Sequence, residues 1–184
     1  MKSLIILDLD ETLIHTESVP KEYEGQYDFD FKFKGIGQSL YYTKKRPYLK
    51  QFLDYIFENF DVAVWTAAGV DYAKEVLNGL EINEEKLKFF YTKDNCTIKL
   101  NYDYSDYYGI KNLNKLKKRG IDLDRVLIID DKVETAINNY GNLIHIKPFT
   151  DDKNDTELLK LISYLEKIKD ESNYRRIEKR GWSI

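Results

Sequence analysis

The sequence predicts an α/β protein, a Rossmann-like, open, mainly parallel sheet flanked by helices. Three observations lead there. Leu4–Leu7 and Val126–Ile129 are short, wholly apolar runs, which is how strands covered on both faces of a parallel sheet read. Both runs stop at carboxylates, Asp8-Leu9-Asp10 and Asp130-Asp131, at the strand ends where open α/β sheets hold ligands. Between them, a strand-like run at Val62–Trp65 passes through a short turn into a segment of helical period, Val70 to about Leu80.

The chemistry of the first acidic loop follows from its spacing. Asp8 and Asp10, two residues apart at the end of one strand, repel each other unless a hard metal ion or a shared proton lies between them. No single loop supplies enough oxygens for a hard cation, so a second acid-tipped strand is what a cation site at the sheet edge requires. The alternative for Asp8 and Asp10 is an ordinary strand-end turn.

Composition excludes several classes. The 184 residues fit one domain, residues 1–184, with a core of its own. Cys96 is the only cysteine, so there is no internal disulfide and no thiolate metal cluster, and a small packed hydrophobe is its simplest role. Basic and acidic residues number 29 and 32, a net charge of -3, which argues against direct nucleic-acid binding by bulk electrostatics. No apolar run approaches the ~20 residues of a membrane span, and Met1 leads straight into strand residues without space for a leader. The expectation is a soluble, monomeric protein of nucleus or cytoplasm with no membrane partner.

In chain order, Glu17 to Glu24 is polar and contains a proline, a loop or extended arm. Tyr27–Lys34 alternates aromatic and charged residues and is followed by Gly35-Ile36-Gly37 and Leu40–Thr43, the pattern of a β-hairpin with one covered face, within an insertion at about 23–45. Pro47 opens a helix whose core stripe runs Leu49, Phe52, Leu53, Ile56, Phe57, Phe60. After Val62–Trp65, the turn Thr66-Ala67-Ala68-Gly69 leads into the next helix, and turn amides beside a helix N-terminus form a phosphate-cradling geometry, although Thr in a turn is usually only a cap.

Leu87–Tyr91 is a further short strand candidate. Tyr102, Tyr104, Tyr107 and Tyr108 put four tyrosines in seven residues, too polar in context to be wholly core, which leaves surface recognition or simple loop packing. A basic helix is expected from Gly109 through Arg119, ending at Gly120, then the strand Val126–Ile129 and a short helix from about Val133. Leu143–Ile146 is the last strand, and Asp155 to Lys169 the last long helix. His15 and His145 have no partner pattern for zinc or a triad and read as local structure. The tail Tyr174–Arg180 is basic, an ordered helix or a patch for a partner.

Asp8-Leu9-Asp10-Glu11-Thr12-Leu13-Ile14-His15 resembles the nucleophile loop of the haloacid dehalogenase superfamily, in its small C-terminal-domain, NLI-interacting-factor-like phosphatase branch. The resemblance runs nearly end to end. It implies Asp8 as nucleophile and Asp10 as general acid, then base. Matched to the second motif, Thr66 becomes a phosphate ligand with the Ala67 N–H. Lys111 matches the third-motif lysine. The resemblance further implies Mg²⁺ held by Asp8, the Asp10 carbonyl and Asp131, with Asp130 acting directly or through water. Thr12 would brace the loop, and Arg46 and Lys93 are candidates for positive charge beside the cleft. Asp130-Asp131 departs from the Asp-Asn usual in that branch, which weakens any transfer of substrate.

Between the first and second motifs lie about 50 residues and between the second and third about 45, too few for a large closing cap domain. An uncapped site favours phosphate on a protein loop over a small metabolite, which has to be enclosed to be bound tightly. The function expected is a Mg²⁺-dependent phosphoserine/threonine phosphatase working through an aspartyl-phosphate. Its substrate would be a phosphorylated protein or peptide such as the RNA polymerase II C-terminal repeat. A phosphatase of small phosphoesters and a catalytically weak scaffold on the same fold are the alternatives.

Overall fold

The computed structural model describes residues 2–18, 27–32, 40–101 and 106–183. Its centre is β1 (Leu4–Leu7), every residue of which is buried. A compact sheet follows β1 in the chain: β2 (Ile14–Glu17), β3 (Phe29–Lys32) and β4 (Leu40–Lys45) pair antiparallel in the order β2-β4-β3. The expected hairpin is therefore there as β3 and β4, joined by a strand that the polar sequence after Ile14 does not announce. The 19–24 part of the predicted arm and the Gly35-Ile36-Gly37 turn lie outside the described residues.

Helix α1 (Leu49–Asn59) starts two residues after Pro47 and buries Leu49, Phe52 and Ile56. Its chain leads straight into β5 (Asp61–Trp65), then α2 (Val70–Gly79), and the next strand is trimmed to β6 (Phe90–Tyr91). A second hairpin, β7 (Thr97–Asn101) and β8 (Asp106–Ile110), precedes the short helix α3 (Asn114–Lys117). β9 (Val126–Asp130), a kinked 3₁₀ segment, β10 (Leu143–His145) and α4 (Glu157–Ile168) complete the order.

The main sheet runs β10-β9-β1-β5-β6, every pairing parallel. Leu7 is level with Val64 on one side and Ile129 on the other, so the carboxyl ends of β1, β5 and β9 finish side by side. Alternate strand residues go to opposite faces. Ile5, Leu7, Val62 and Val64 pack with α1, α2 and α4 through Phe52, Ile56, Val76, Leu161 and Leu165. Leu4, Ile6, Ala63 and Trp65 pack on the other face with Leu113, Leu116 and Leu123. Truncating a fully buried ring such as Phe52 to Ala would cost about 3–5 kcal/mol.

The basic helix expected from Gly109 to Arg119 is corrected. Gly109 and Ile110 belong to β8, Ile110 lies opposite Thr97, and only Asn114–Lys117 is α-helical. A Cβ on Gly109 would stand 3.0 Å from the Cβ of Cys96, so the close approach of the two hairpin strands favours glycine there. Pairing with the strand β7 upstream outweighs local helix propensity. Of the Tyr-rich segment, residues 102–105 lie outside the described part.

Candidate active site

Three strand ends build the site. Asp8 leaves β1, its amide donating to the Ile129 carbonyl (3.0 Å), which holds the first acidic loop against β9. The loop then turns tightly: Glu11 has φ +57°, its N–H reaches the Ile14 carbonyl (2.7 Å), and its own carbonyl accepts from Phe149 N–H (2.7 Å). A left-handed non-glycine residue is a local strain that the surrounding structure must hold in place. Thr12, fully buried, puts its hydroxyl 3.4 Å from both Asp8 Oδ2 and Asp131 Oδ1.

Asp130 and Asp131 end β9. Asp130 is saturated: it accepts from Lys111 Nζ (2.6 Å), Thr135 Oγ1 (2.7 Å) and the Lys132 amide (2.8 Å). Among the described residues the Asp131 side chain meets another side chain at the long Thr12 contact, while its backbone carbonyl meets His145 Nε2 at 2.9 Å. Lys111, one residue past β8, is 1% exposed and bridges Asp8 Oδ1 (2.5 Å) and Asp130. Its own amide is pinned to the Thr135 carbonyl at 2.7 Å. Lys111 is positioned here by a strand end rather than by the helix expected from its neighbours.

The electrostatics show what such a cluster demands. Burial raises the Asp8 carboxyl to about 8; the Lys111 ammonium pulls it down and Asp130 pushes it further up. Burial and Asp130 likewise raise Asp131. Lys111 itself goes up, because its two carboxylates outweigh its burial. One ammonium cannot neutralise three buried carboxylates, and Asp8, Asp130 and Asp131 each offer an oxygen within 4.8 Å of the others. An all-oxygen cluster with surplus negative charge fits a hard divalent cation.

On the other side of β1, Thr66 is buried and its Oγ1 accepts from the Ala68 amide (3.0 Å), closing a turn that leads into α2. Ala67 is exposed and its amide has no acceptor among the described residues. The turn is the cradle-like arrangement read from the sequence, with a free N–H beside the end of β1. Lys93 is exposed with its amide on the Ala68 carbonyl (2.9 Å) and its ammonium beside Gly69, so it borders this turn.

Asp10 points elsewhere. Its Oδ1 accepts from the hydroxyl of Tyr72 on α2, and burial pushes its carboxyl up against the effect of that bond. Tyr72 in turn packs on Phe31 (5.4 Å between ring centres) and Tyr41 (5.7 Å) of the inserted sheet. Gly79, seven residues on and so on the same helix face, lies so close to Phe29 that a Cβ would fall 2.3 Å from its ring. The inserted sheet therefore sets the position of the residue that holds Asp10.

Arg46 is corrected. It is 1% exposed, pairs with Asp155 through Nε (3.0 Å) and a terminal nitrogen (2.8 Å), and donates to the carbonyls of Thr12 (2.9 Å) and Lys147 (2.7 Å). It braces the acidic loop from below and offers no charge to a cleft. Sequence reasoning missed Tyr72 and Thr135. Tyr72 was traceable, since a tyrosine on the first turn of a helix that follows a phosphate-type turn faces the sheet edge; Thr135 carries no comparable signal.

A profile of NLI interacting factor-like phosphatases matches residues 3–175. The chain belongs to this family. Among its relatives, a CTD phosphatase-like protein, 355R, of Invertebrate iridescent virus 3 is 36% identical over 91% of this chain and 97% of its own length. CTD small phosphatase-like protein 2 of Dictyostelium discoideum is 34% identical over 91% of this chain, which spans 27% of that protein. Nuclear envelope morphology protein 1 of Saccharomyces cerevisiae is 29% identical, with 96% and 41% covered. The chain thus spans nearly all of the viral relative and less than half of the other two. The fission yeast RNA polymerase II CTD phosphatase Fcp1, in its R271A form bound to beryllium fluoride, superposes with a TM-score of 0.62 at 23% identity, over 94% of this chain and 53% of that one, a likeness of fold. In this NLI interacting factor-like phosphatase, no helix among the described residues is long and apolar enough to cross a membrane.

Proposed function

We infer that the protein hydrolyses phosphoserine or phosphothreonine esters on protein segments through an aspartyl-phosphate on Asp8. The observation that carries this reading is the convergence of Asp8, Lys111, Asp130 and Asp131, from three distant segments, at one sheet edge beside the Thr66 turn. Mg²⁺ is the cation proposed; Asp8, the Asp10 carbonyl and Asp131 would hold it, and it would neutralise the negative charge that carboxylate and phosphate bring together. Asp130, already bonded to three donors, positions Lys111 and supports the site from behind.

In the first step an Asp8 oxygen bonds to phosphorus as the ester P–O bond breaks, and protonated Asp10 gives its proton to the leaving serine or threonine oxygen. Burial, which raises the Asp10 carboxyl, favours the protonated form that this transfer needs. In the second step the Asp10 carboxylate takes a proton from water, whose oxygen attacks phosphorus and releases Asp8. Lys111, the Thr66 hydroxyl and the Ala67 N–H stabilise the oxygens of the transferring group. Lys93, at the rim, adds positive charge for the approaching anion.

The relatives named for CTD phosphatases support a protein substrate of the repeat type, and so does the absence, among the described residues, of a cap larger than the three-stranded inserted sheet. The test is hydrolysis of an aryl phosphate with Mg²⁺ and with chelator, then of phosphoserine heptad-repeat peptides. Mg²⁺-dependent turnover of both is expected. No turnover under any condition would leave only a binding role for the fold.

A further inference from the structure

Away from the acidic loops, the C-terminal segment closes one side of a groove of about 930 Å³ along the β10 edge, floored by Leu143, Pro148, Ile177 and Trp182. The segment is fixed in place. Tyr174 is fully buried with its hydroxyl on the Lys169 carbonyl (2.9 Å), and Trp182 Nε1 donates to the His145 carbonyl (2.8 Å) while its ring meets Tyr164. The groove is therefore formed before anything enters it, which lowers the ordering cost of binding.

Its charge is opposite to that of the chain. The whole protein carries -3, yet among the described residues five cations line the groove against two side-chain carboxylates, one of them the nearly buried Glu157. Glu178 is occupied by Arg180 through a two-point pair. Lys147 and Arg176 are exposed and have no ion-pair partner among the described residues. The Lys179 ammonium is held by the carbonyls of Tyr174 and Ile177, and the Glu178 carboxylate acts on its charge. Lys147 and Arg176 thus line one concave surface without an ion-pair partner among the described residues, beside the apolar Ile177 and Trp182.

The groove also adjoins the second acidic loop. Val133, which lines it, is two residues from Asp131, and His145, which lines it too, has its Nε2 2.9 Å from the Asp131 carbonyl. We propose that this groove docks an acidic stretch of the phosphoprotein substrate, leading from the phosphorylated residue along β10 to Lys147 and Arg176. This rests on the phosphatase reading above. A concave cleft with an apolar floor suits an extended peptide whose carboxylates meet the cations while its aliphatic side chains cover Ile177 and Trp182; a flat bilayer surface could not reach that floor.

The experiment uses the full chain and the double variant Lys147→Glu/Arg176→Glu. Two phosphoserine peptides are compared, one with a tail of Asp and Glu and one with the same tail as Asn and Gln. Wild type is expected to show a KM about tenfold lower for the acidic tail, lost at high salt, and the variant to lose that preference. Turnover of an aryl phosphate should be the same in both proteins, which a merely structural role would not preserve. Equal KM values for the two peptides in wild type, or an unchanged preference in the variant, would overturn the proposal. A fluorescein-labelled acidic peptide without phosphate, followed by anisotropy, decides the groove even if no ester is hydrolysed: binding by wild type and loss in the variant supports it. Variant-sensitive binding to phosphatidylserine vesicles with no binding of that peptide would overturn it in favour of a membrane.

Discussion

The chain uses one device twice, a buried apolar strand that ends in two acids, and the two copies are held differently. At the end of β9, Asp130 receives three donors and its carboxylate is fixed, with Thr135, Lys132 and Lys111 around it. At the end of β1, among the described residues, Asp8 is tied at short range to Lys111 alone, Asp10 is held by one tyrosine, and the loop continues through the left-handed Glu11. Asp130, with three donors, suits a scaffold for charge, the lightly held Asp8 and Asp10 the bonds that form and break, and Asp131, with its one long Thr12 contact, stays open toward a cation. Donor count at the carboxylate separates Asp130 from the other three where residue type does not.

Replacing Asp8 breaks the contrast most severely. Asp8→Asn is expected to lower turnover by about 10⁴-fold or more while the fold remains. It should also stabilise the metal-free protein. A carboxyl raised to about 8 binds its proton more tightly when folded than its unfolded form near 3.8, so its ionisation removes stability as pH climbs through that interval. Thermal melts in chelator should show the variant above wild type at pH 8, the gap closing toward pH 4.

Lys111→Met removes the link between the two pairs. A loss of about 10²–10³ in kcat is expected from the missing transition-state charge, with destabilisation of about 3–5 kcal/mol from the carboxylates left buried. Denaturant melts beside aryl phosphate kinetics read both. Thr135→Ala strips one donor from Asp130. Mg²⁺ titrated against activity should then saturate at about 10–100-fold higher concentration. Tyr72→Phe acts on the other pair, where about a tenfold loss in kcat is expected on alkyl esters and less on aryl ones. The tyrosine bond favours the Asp10 anion, so its removal raises Asp10 further and should move the basic limb of the pH profile to higher pH. An unmoved limb would separate Tyr72 from Asp10.

What could be read ahead of the structure was whatever depends on short range. Leu4–Leu7 and Val126–Ile129 are continuous apolar runs because both faces of each strand are covered, and their terminal acids follow directly. Lys111 sits where the third motif resembles its family, but its surroundings were misread, since the lysines that follow look helical while β8 owes its form to pairing with β7. Arg46 looked like any cation beside a proline; its partner Asp155 lies 109 residues away, and nothing nearby in the sequence marks it as buried. Tyr72 meets Asp10 across 62 residues through the packing of α2 on the inserted sheet, a contact no periodicity encodes.

The most direct test of the central assignment is to quench the enzyme in acid during turnover of a phosphoserine peptide with Mg²⁺ and map the phosphorylated residue by peptide mass spectrometry. Acid-stable, alkali-labile phosphate on the peptide containing Asp8, absent in Asp8→Asn, is the expected result. Phosphate on any other residue, or undiminished turnover by Asp8→Asn, would contradict it.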